Sequence, residues 1–187
     1  MLRSSVRRKL SFGLALLPLA LAAAGRAQAQ AVDLALLTAY RLDGELLLDF
    51  DARLSLPHAV EDALRRGVPL YFVADAALYR YRWYWRDERV AWVRRSWRVA
   101  YQPLTSNWRV GFAGFNQSYA TLAEALAAAS RSTGWKVADA AQLDAEDRYY
   151  LDFSYRLDVS QLPSPMRLGL GSQAEWAIGI ERTLRVD

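Results

Sequence analysis

The chain has 187 residues, 53% hydrophobic and 12% aromatic, with 24 basic and 20 acidic side chains for a net charge of +4, and no cysteine. The lack of cysteine excludes a disulfide framework, a thiolate nucleophile, a Cys-ligated metal and a lipid-modified cysteine. Arg3, Arg7, Arg8, Lys9 and Arg26 all lie in the first 29 residues, where there is no acid, so the rest holds 19 basic against 20 acidic residues, a net −1, and global charge gives no reason to expect a nucleic-acid partner.

Residues 1–29 read as a signal peptide. Arg3 to Lys9 form a positive start, Leu10 to Ala24 is an apolar run broken only by Ser11, Gly13 and Pro18, and Ala27-Gln28-Ala29 is a small-x-small cleavage site. The segment is expected to engage the export machinery and to be cut near Ala29, delivering a secreted, periplasmic protein. An uncleaved anchor is the alternative, but the run of about 15 residues falls short of the roughly 20 needed to cross a bilayer. Residues 30–187 contain no Gly/Ser linker or low-complexity tract and read as a single β-rich globular domain.

In chain order, Val32 to Arg41 and Glu45 to Leu54 alternate around Leu42-Asp43-Gly44, where Asp-Gly signals a hairpin whose turn positions accept positive φ. Leu46, Leu48, Phe50, Ala52 and Leu54 share the apolar face of the second strand, and Asp49, Asp51 and Arg53 share the polar one. A short helix follows. Pro57 suits its start, Glu61 and Asp62 lie early, Arg65 and Arg66 late, and Gly67 ends it.

Val68 to Arg86 reads as one long strand, or two joined by a bulge near Asp75. Tyr79, Tyr81, Trp83 and Trp85 occupy odd positions there, and Arg80, Arg82, Tyr84 and Arg86 even ones. If Asp87-Glu88-Arg89 is a tight reversal and Val90 to Tyr101 returns, Tyr79 faces Trp97 and Trp83 faces Val93 on a core side. Tyr84 then faces Trp92, and Arg82 faces Arg94, on the other side. Cross-strand aromatic pairs of this kind stabilise a hairpin. This predicts an outward face of Arg80, Arg82, Tyr84, Arg86, Trp92, Arg94 and Arg98, with Arg95 as an exception on the core side. Such a face is either a solvated surface that protects a sheet edge or an interaction surface, since arginine and tryptophan concentrate where interfaces carry energy.

Asn107 to Ala113 is a further strand. Thr121 with Glu124 forms a capping box for a second helix running to about Arg131, ahead of Gly134. Asp139 to Asp147 is a polar loop, Arg148 to Val159 is a half-buried strand, Leu162-Pro163-Ser164-Pro165 interrupts regular structure, and Ala174 to Val186 is the last strand. The fold class is α+β: predominantly antiparallel β-sheet or sandwich, with two short helices.

Gly67-Val68-Pro69-Leu70-Tyr71-Phe72, the run Tyr81 to Ala91, Trp97 to Tyr101 with Leu104-Thr105, Thr121 to Leu126, and Leu157-Asp158 with Gln161 to Pro165 resemble a proteobacterial exported family classed as domain of unknown function 4390. The resemblance covers essentially the whole chain after the leader and is most specific in its tryptophan-rich centre. It departs at Ser106-Asn107, where the family pattern would put an arginine. It implies a Gram-negative periplasmic protein without an assigned activity, cofactor or catalytic residue. It also implies, through neighbouring genes, a membrane sensor histidine kinase as a partner.

Enzymatic chemistry has little to stand on. His58 is the only histidine, at a helix start, and there is no Gly-x-Ser-x-Gly elbow. One histidine without cysteine cannot hold zinc. Asp49 and Asp51 share a strand face and could serve a glycosidase, but alternating aspartates on a strand's solvent face are far more often simply solvated. Asp139, Asp144, Glu146 and Asp147 lack calcium-loop spacing, and Gly169-Leu170-Gly171-Ser172 lacks the basic residue of a phosphate cradle. An outer-membrane barrel is disfavoured by the two helices and by arginine-rich outer faces. The expectation is a non-enzymatic binding or accessory module without cofactor, for a membrane-associated partner, such as a sensor kinase, or an anionic envelope component. A periplasmic hydrolase of an envelope glycan or ester is the alternative.

Overall fold

The computed structural model describes residues 31–84, 86–163 and 173–186. The predicted signal peptide, Trp85, Ser164-Pro165 and Gly169 to Ser172 lie outside the described residues.

The first hairpin forms as read: β1 (Val32–Leu42) and β2 (Glu45–Leu54) turn through Asp43 and Gly44 at φ 52° and 82°. Such φ values are cheap only for glycine or a short polar side chain. Helix α1 (His58–Arg65) starts after Pro57, and Gly67 follows it at φ 89°. Next come β3 (Leu70–Arg80), β4 (Glu88–Gln102), β5 (Asn107–Phe112) and β6 (Phe115–Tyr119). Helix α2 (Leu122–Ala129) has the predicted capping box, Thr121 accepting from the Glu124 amide and Glu124 from the Thr121 amide. The chain continues as β7 (Arg131–Ala138), β8 (Tyr149–Leu157), helix α3 (Gln173–Trp176) and β9 (Gly179–Val186).

All pairings are antiparallel. One sheet has the order β1-β2-β7 and the other β6-β5-β4-β3-β8-β9, so the predicted α+β class holds. The two sheets share a core. Phe50 of the small sheet meets Trp97, Phe153 and Tyr155 of the large one at ring-centroid distances of 5.9, 5.0 and 5.8 Å, and Trp135 of its own sheet at 6.2 Å. These offset and edge contacts add to the burial energy of the rings. The fully buried Tyr155 hydroxyl donates to the Ala129 carbonyl at 3.0 Å, tying the last turn of α2 to the large sheet.

Three elements differ from expectation. The segment Phe115–Tyr119 is a polar edge strand behind the tight turn Ala113-Gly114, at φ 48° and 86°, which its composition conceals. The second helix stops at Ala129 rather than near Arg131, because the following residues pair with β2. Two residues, Thr133 and Gly134, there stand against the single Asp49, and this bulge breaks the alternation by which a strand is recognised. Trp176 lies in α3 rather than in the last strand, and Trp176, Ile178 and Ile180 are buried.

The largest correction concerns the central hairpin. β3 ends at Arg80, and β4 returns in a different register: Phe72, not Tyr79, faces Trp97, while Ala76 faces Val93, Ala77 faces Trp92 and Asp75 faces Arg94. The irregularity lies at Leu78/Tyr79 and not at Asp75. This offset of seven residues is odd, so it exchanges the two faces of one strand relative to the other. In β3 the even positions Leu70, Phe72, Ala74, Ala76 and Leu78 are buried, whereas in β4 the odd positions Trp97 and Val99 are. The physical reason is burial. The expected register would have turned Asp75 inward and left Leu70, Phe72, Ala74, Ala76 and Leu78 in water, where burial of each of the three large side chains is worth about 1.5–3 kcal/mol.

Outside, Asp75 secures the register. Its carboxylate accepts from Arg94 Nε at 2.6 Å and Nη2 at 3.2 Å, and from Arg156 Nη1 at 2.6 Å, joining β3 to both neighbours. Burial alone would raise the Asp75 carboxyl, but hydrogen bonds from the two guanidinium groups and their charges outweigh it and hold it below the ordinary carboxylate range. A depressed pKa makes this bridge fully stabilising above the ordinary carboxylate pKa of about 3.9 and progressively lost as pH falls through the folded value. Asp75→Asn should therefore lower stability near neutrality by about 1–2 kcal/mol, moderated because both arginines remain hydrated, and should flatten the acid limb. Urea titrations between neutral and acid pH read both effects.

Candidate functional site

The register divides the seven residues predicted to form one face. Trp92, Arg94 and Arg98 do share the outer face of β4, all exposed, opposite Ala77, Asp75 and Tyr71. Arg94 lies over the Trp92 ring at 5.1 Å while bound to Asp75. Arg80 belongs to the opposite side: it bonds Asp147 at 3.0 Å and lies over the Tyr149 ring at 5.9 Å. Its Nε is buried without a hydrogen-bond partner, 4.0 Å from Glu88. Arg82, Tyr84 and Arg86 are not in a strand; they belong to the connection from β3 to β4. The expected pairs Tyr84 with Trp92 and Arg82 with Arg94 therefore do not form. Arg82 pairs instead with Glu88.

The connection builds a different site, an aromatic tip at the end of the large sheet. Asp87 organises it. One carboxylate oxygen accepts from the Arg82 amide at 3.1 Å and the other from the Tyr150 hydroxyl at 3.0 Å, while the Tyr81 amide donates to the Arg148 carbonyl at 2.9 Å. Tyr79 stacks on Tyr150 at 5.1 Å, and Tyr81 leans on Tyr150 at 4.7 Å. Beyond this anchored base, Trp83 and Tyr84 meet edge to face at 4.9 Å and are 94% and 69% exposed. Arg41, Tyr81, Arg82, Trp83, Glu146 and Asp147 are among the side chains around an open cavity of about 990 Å³ beside the tip. Its mixed charges and aromatic walls suit a surface that packs against mixed polar and apolar groups.

Burial first, then the Asp87 hydrogen bond and the negative charges of Asp87 and Asp152, push the Tyr150 phenol up to about 12. The phenol is therefore neutral and donating throughout the physiological range.

The residues considered for catalysis lie apart. His58 is exposed at the start of α1, 3.2 Å from Asp62. Asp49 accepts from the Gly134 amide at 2.6 Å and the Tyr40 hydroxyl at 3.3 Å, satisfying the amide freed by the β7 bulge. Among the described residues, no group of three or more His, Asp or Glu side chains is arranged to hold a metal ion. Arg95, the exception noted in the sequence, is on the inner side of β4 as the alternation required, but the surroundings that give it meaning come from β5 and β7, which no local signal connects to it.

The sequence pattern of the family described as Domain of unknown function (DUF4390) matches residues 29–185, and the chain belongs to that family. No curated protein and no solved structure matches it.

Tyr150→Phe removes the donor to Asp87, so amide exchange at Tyr81 and Arg82 should accelerate while the core of β8 stays protected, as hydrogen-exchange mass spectrometry would read. Because the folded phenol titrates above its ordinary value, the bond's contribution is present below pH 10 and fades from there towards about 12. The variant should lose that alkaline dependence.

Proposed function

We propose that this family member is an exported, non-enzymatic binding module of the Gram-negative periplasm, whose aromatic tip docks onto a membrane-associated partner protein such as a sensor kinase ectodomain. The observation that carries this reading is Trp83, 94% exposed beside Tyr84 on a connection whose base is tied down by Asp87. An indole held in water forgoes burial worth about 2 kcal/mol or more, and an exposed aromatic pair is the form that interface anchors take, because a large contact area is gained for few side-chain torsions fixed on docking.

The charges around it favour a protein over a polyanion. Arg82, Arg86 and Arg89 flank Asp87 and Glu88, and the cavity is lined by Glu146 and Asp147 as well as by Arg41, Arg148 and Arg185. A polyphosphate or acidic glycan would meet those carboxylates, whereas a protein surface of interleaved charge can match them. The compartment is supported by the composition of residues 1–29 and by a family match that begins at residue 29. The hydrolase alternative gains nothing from the positions of His58, Asp49 and Asp51, since the first is solvated against Asp62 and the second satisfies a backbone amide.

A photo-crosslinking amino acid placed at Tyr84 of the full chain in intact cells should give an adduct with a protein of the membrane fraction. Trp83→Ala should reduce that adduct about tenfold or more, and a probe at Thr38, on the small sheet, should give none. The same preparation should show a mature N-terminus at Gln30 by intact mass. Equal labelling from both positions, or none from Tyr84 in correctly processed protein, would remove the tip as the docking surface.

A further inference from the structure

A second site lies on the other side of the large sheet, where the two sheets part between β6 and β7. Arg95 projects there from the inner side of β4. Its guanidinium carbon lies 5.4 Å from the Phe112 ring and 5.1 Å from the Trp135 ring, and its Nη1 donates to the Ser132 hydroxyl at 2.5 Å. Among the described residues, no carboxylate lies within 4.0 Å of it. Arg80, Arg82, Arg94 and Arg156 each have an acidic partner, whereas Arg86, Arg89 and Arg98, which show no such partner among the described residues, are exposed to water.

An inward-facing cation without a counter-ion is costly. Burial lowers the Arg95 pKa with nothing opposing it, and stacking between two rings returns only part of the lost hydration. Facing it is an open cavity of about 770 Å³. Arg131, Ser132, Asn116 and Gln117 supply polar groups to its wall, Phe115 and Trp97 supply apolar surface, and among the described residues no aspartate or glutamate lines it. Phe115 is 81% exposed at the margin. β6 and β7 are edge strands of their sheets, so backbone groups are also unpaired along both margins.

We propose that this groove binds a small organic anion, a carboxylate or phosphate carried on an apolar body, with the anionic group on Arg95 and Arg131 and the apolar body against Phe112, Phe115 and Trp97. A planar guanidinium offers paired donors to either oxyanion, and an anion replaces the hydration that the groove has removed. The inference does not rest on the aromatic tip, which lies at the far end of β4 across the sheet.

The test uses the full chain, with phenylpropionate and phenyl phosphate as the two anionic probes and phenylpropanol as the neutral one, followed by protein NMR at the Trp97 and Trp135 indole N–H signals. The two anions distinguish carboxylate from phosphate. Saturable shifts with at least one anion, about tenfold weaker or absent with phenylpropanol and with Arg95→Met, are expected, and Trp83→Ala should leave them unchanged. Arg131→Gln, at an exposed position, keeps the test valid if Arg95→Met fails to fold; it should weaken binding several-fold, and added salt should do the same. Equal affinity for phenylpropanol, indifference to both arginine variants, or no saturable shift with either anion would overturn the proposal.

Discussion

Everything displayed on the large sheet follows from which face of β3 packs into the core. Leu70, Phe72, Ala74, Ala76 and Leu78 point into the core, and once they do, Asp75 must stand outside between Arg94 and Arg156. Hydrophobic burial selects the face, and the three-way ion pair selects the position along the strand. A register displaced by one residue would lose both at once, since it would bury a carboxylate and expose a row of apolar side chains. The two terms are cooperative in this sense, although a partly exposed ion pair is worth far less than the burial.

The same choice creates both candidate surfaces. Because β3 ends at Arg80 and β4 begins at Glu88, Tyr81, Trp83 and Tyr84 are released from the sheet into a connection. Its base then depends on Asp87 and Tyr150 rather than on ladder hydrogen bonds. On the inner side of β4 the odd positions pass from Val93 through Arg95 to Trp97. Two of these are apolar and pack. The third is an arginine that Phe112, Trp135 and Ser132 receive from different elements, which leaves a cation facing the opening between the sheets.

Much of the fold was legible along the chain. The Asp43-Gly44 turn, the burial pattern of β2, the helix ended by Gly67, the Thr121/Glu124 capping box and the alternation of β8 are each settled within about a dozen residues, and each is as read. The two unrecognised strands share a cause. β6 is polar because it is an edge with little to bury, and β7 is out of phase because of its bulge, so neither shows the period that identifies a strand. The candidate face was half legible: alternation correctly grouped Trp92, Arg94 and Arg98, but combining them with Arg80, Arg82, Tyr84 and Arg86 required knowing where β3 stops.

By itself, the sequence determined the elements whose stability is local, the grouping of Trp92, Arg94 and Arg98 on one side of β4 with Arg95 on the other, and the identity of the family, because turns, caps and alternation act through neighbouring residues. Only the tertiary structure decided the pairing of β3 with β4, the release of Trp83 and Tyr84 from the sheet, and the surroundings of Arg95. Those depend on contacts between residues tens of positions apart, such as Asp75 with Arg156 and Arg95 with Ser132. A strand's own alternation fixes which residues share a face, but which face is buried is set by the sheet packed against it.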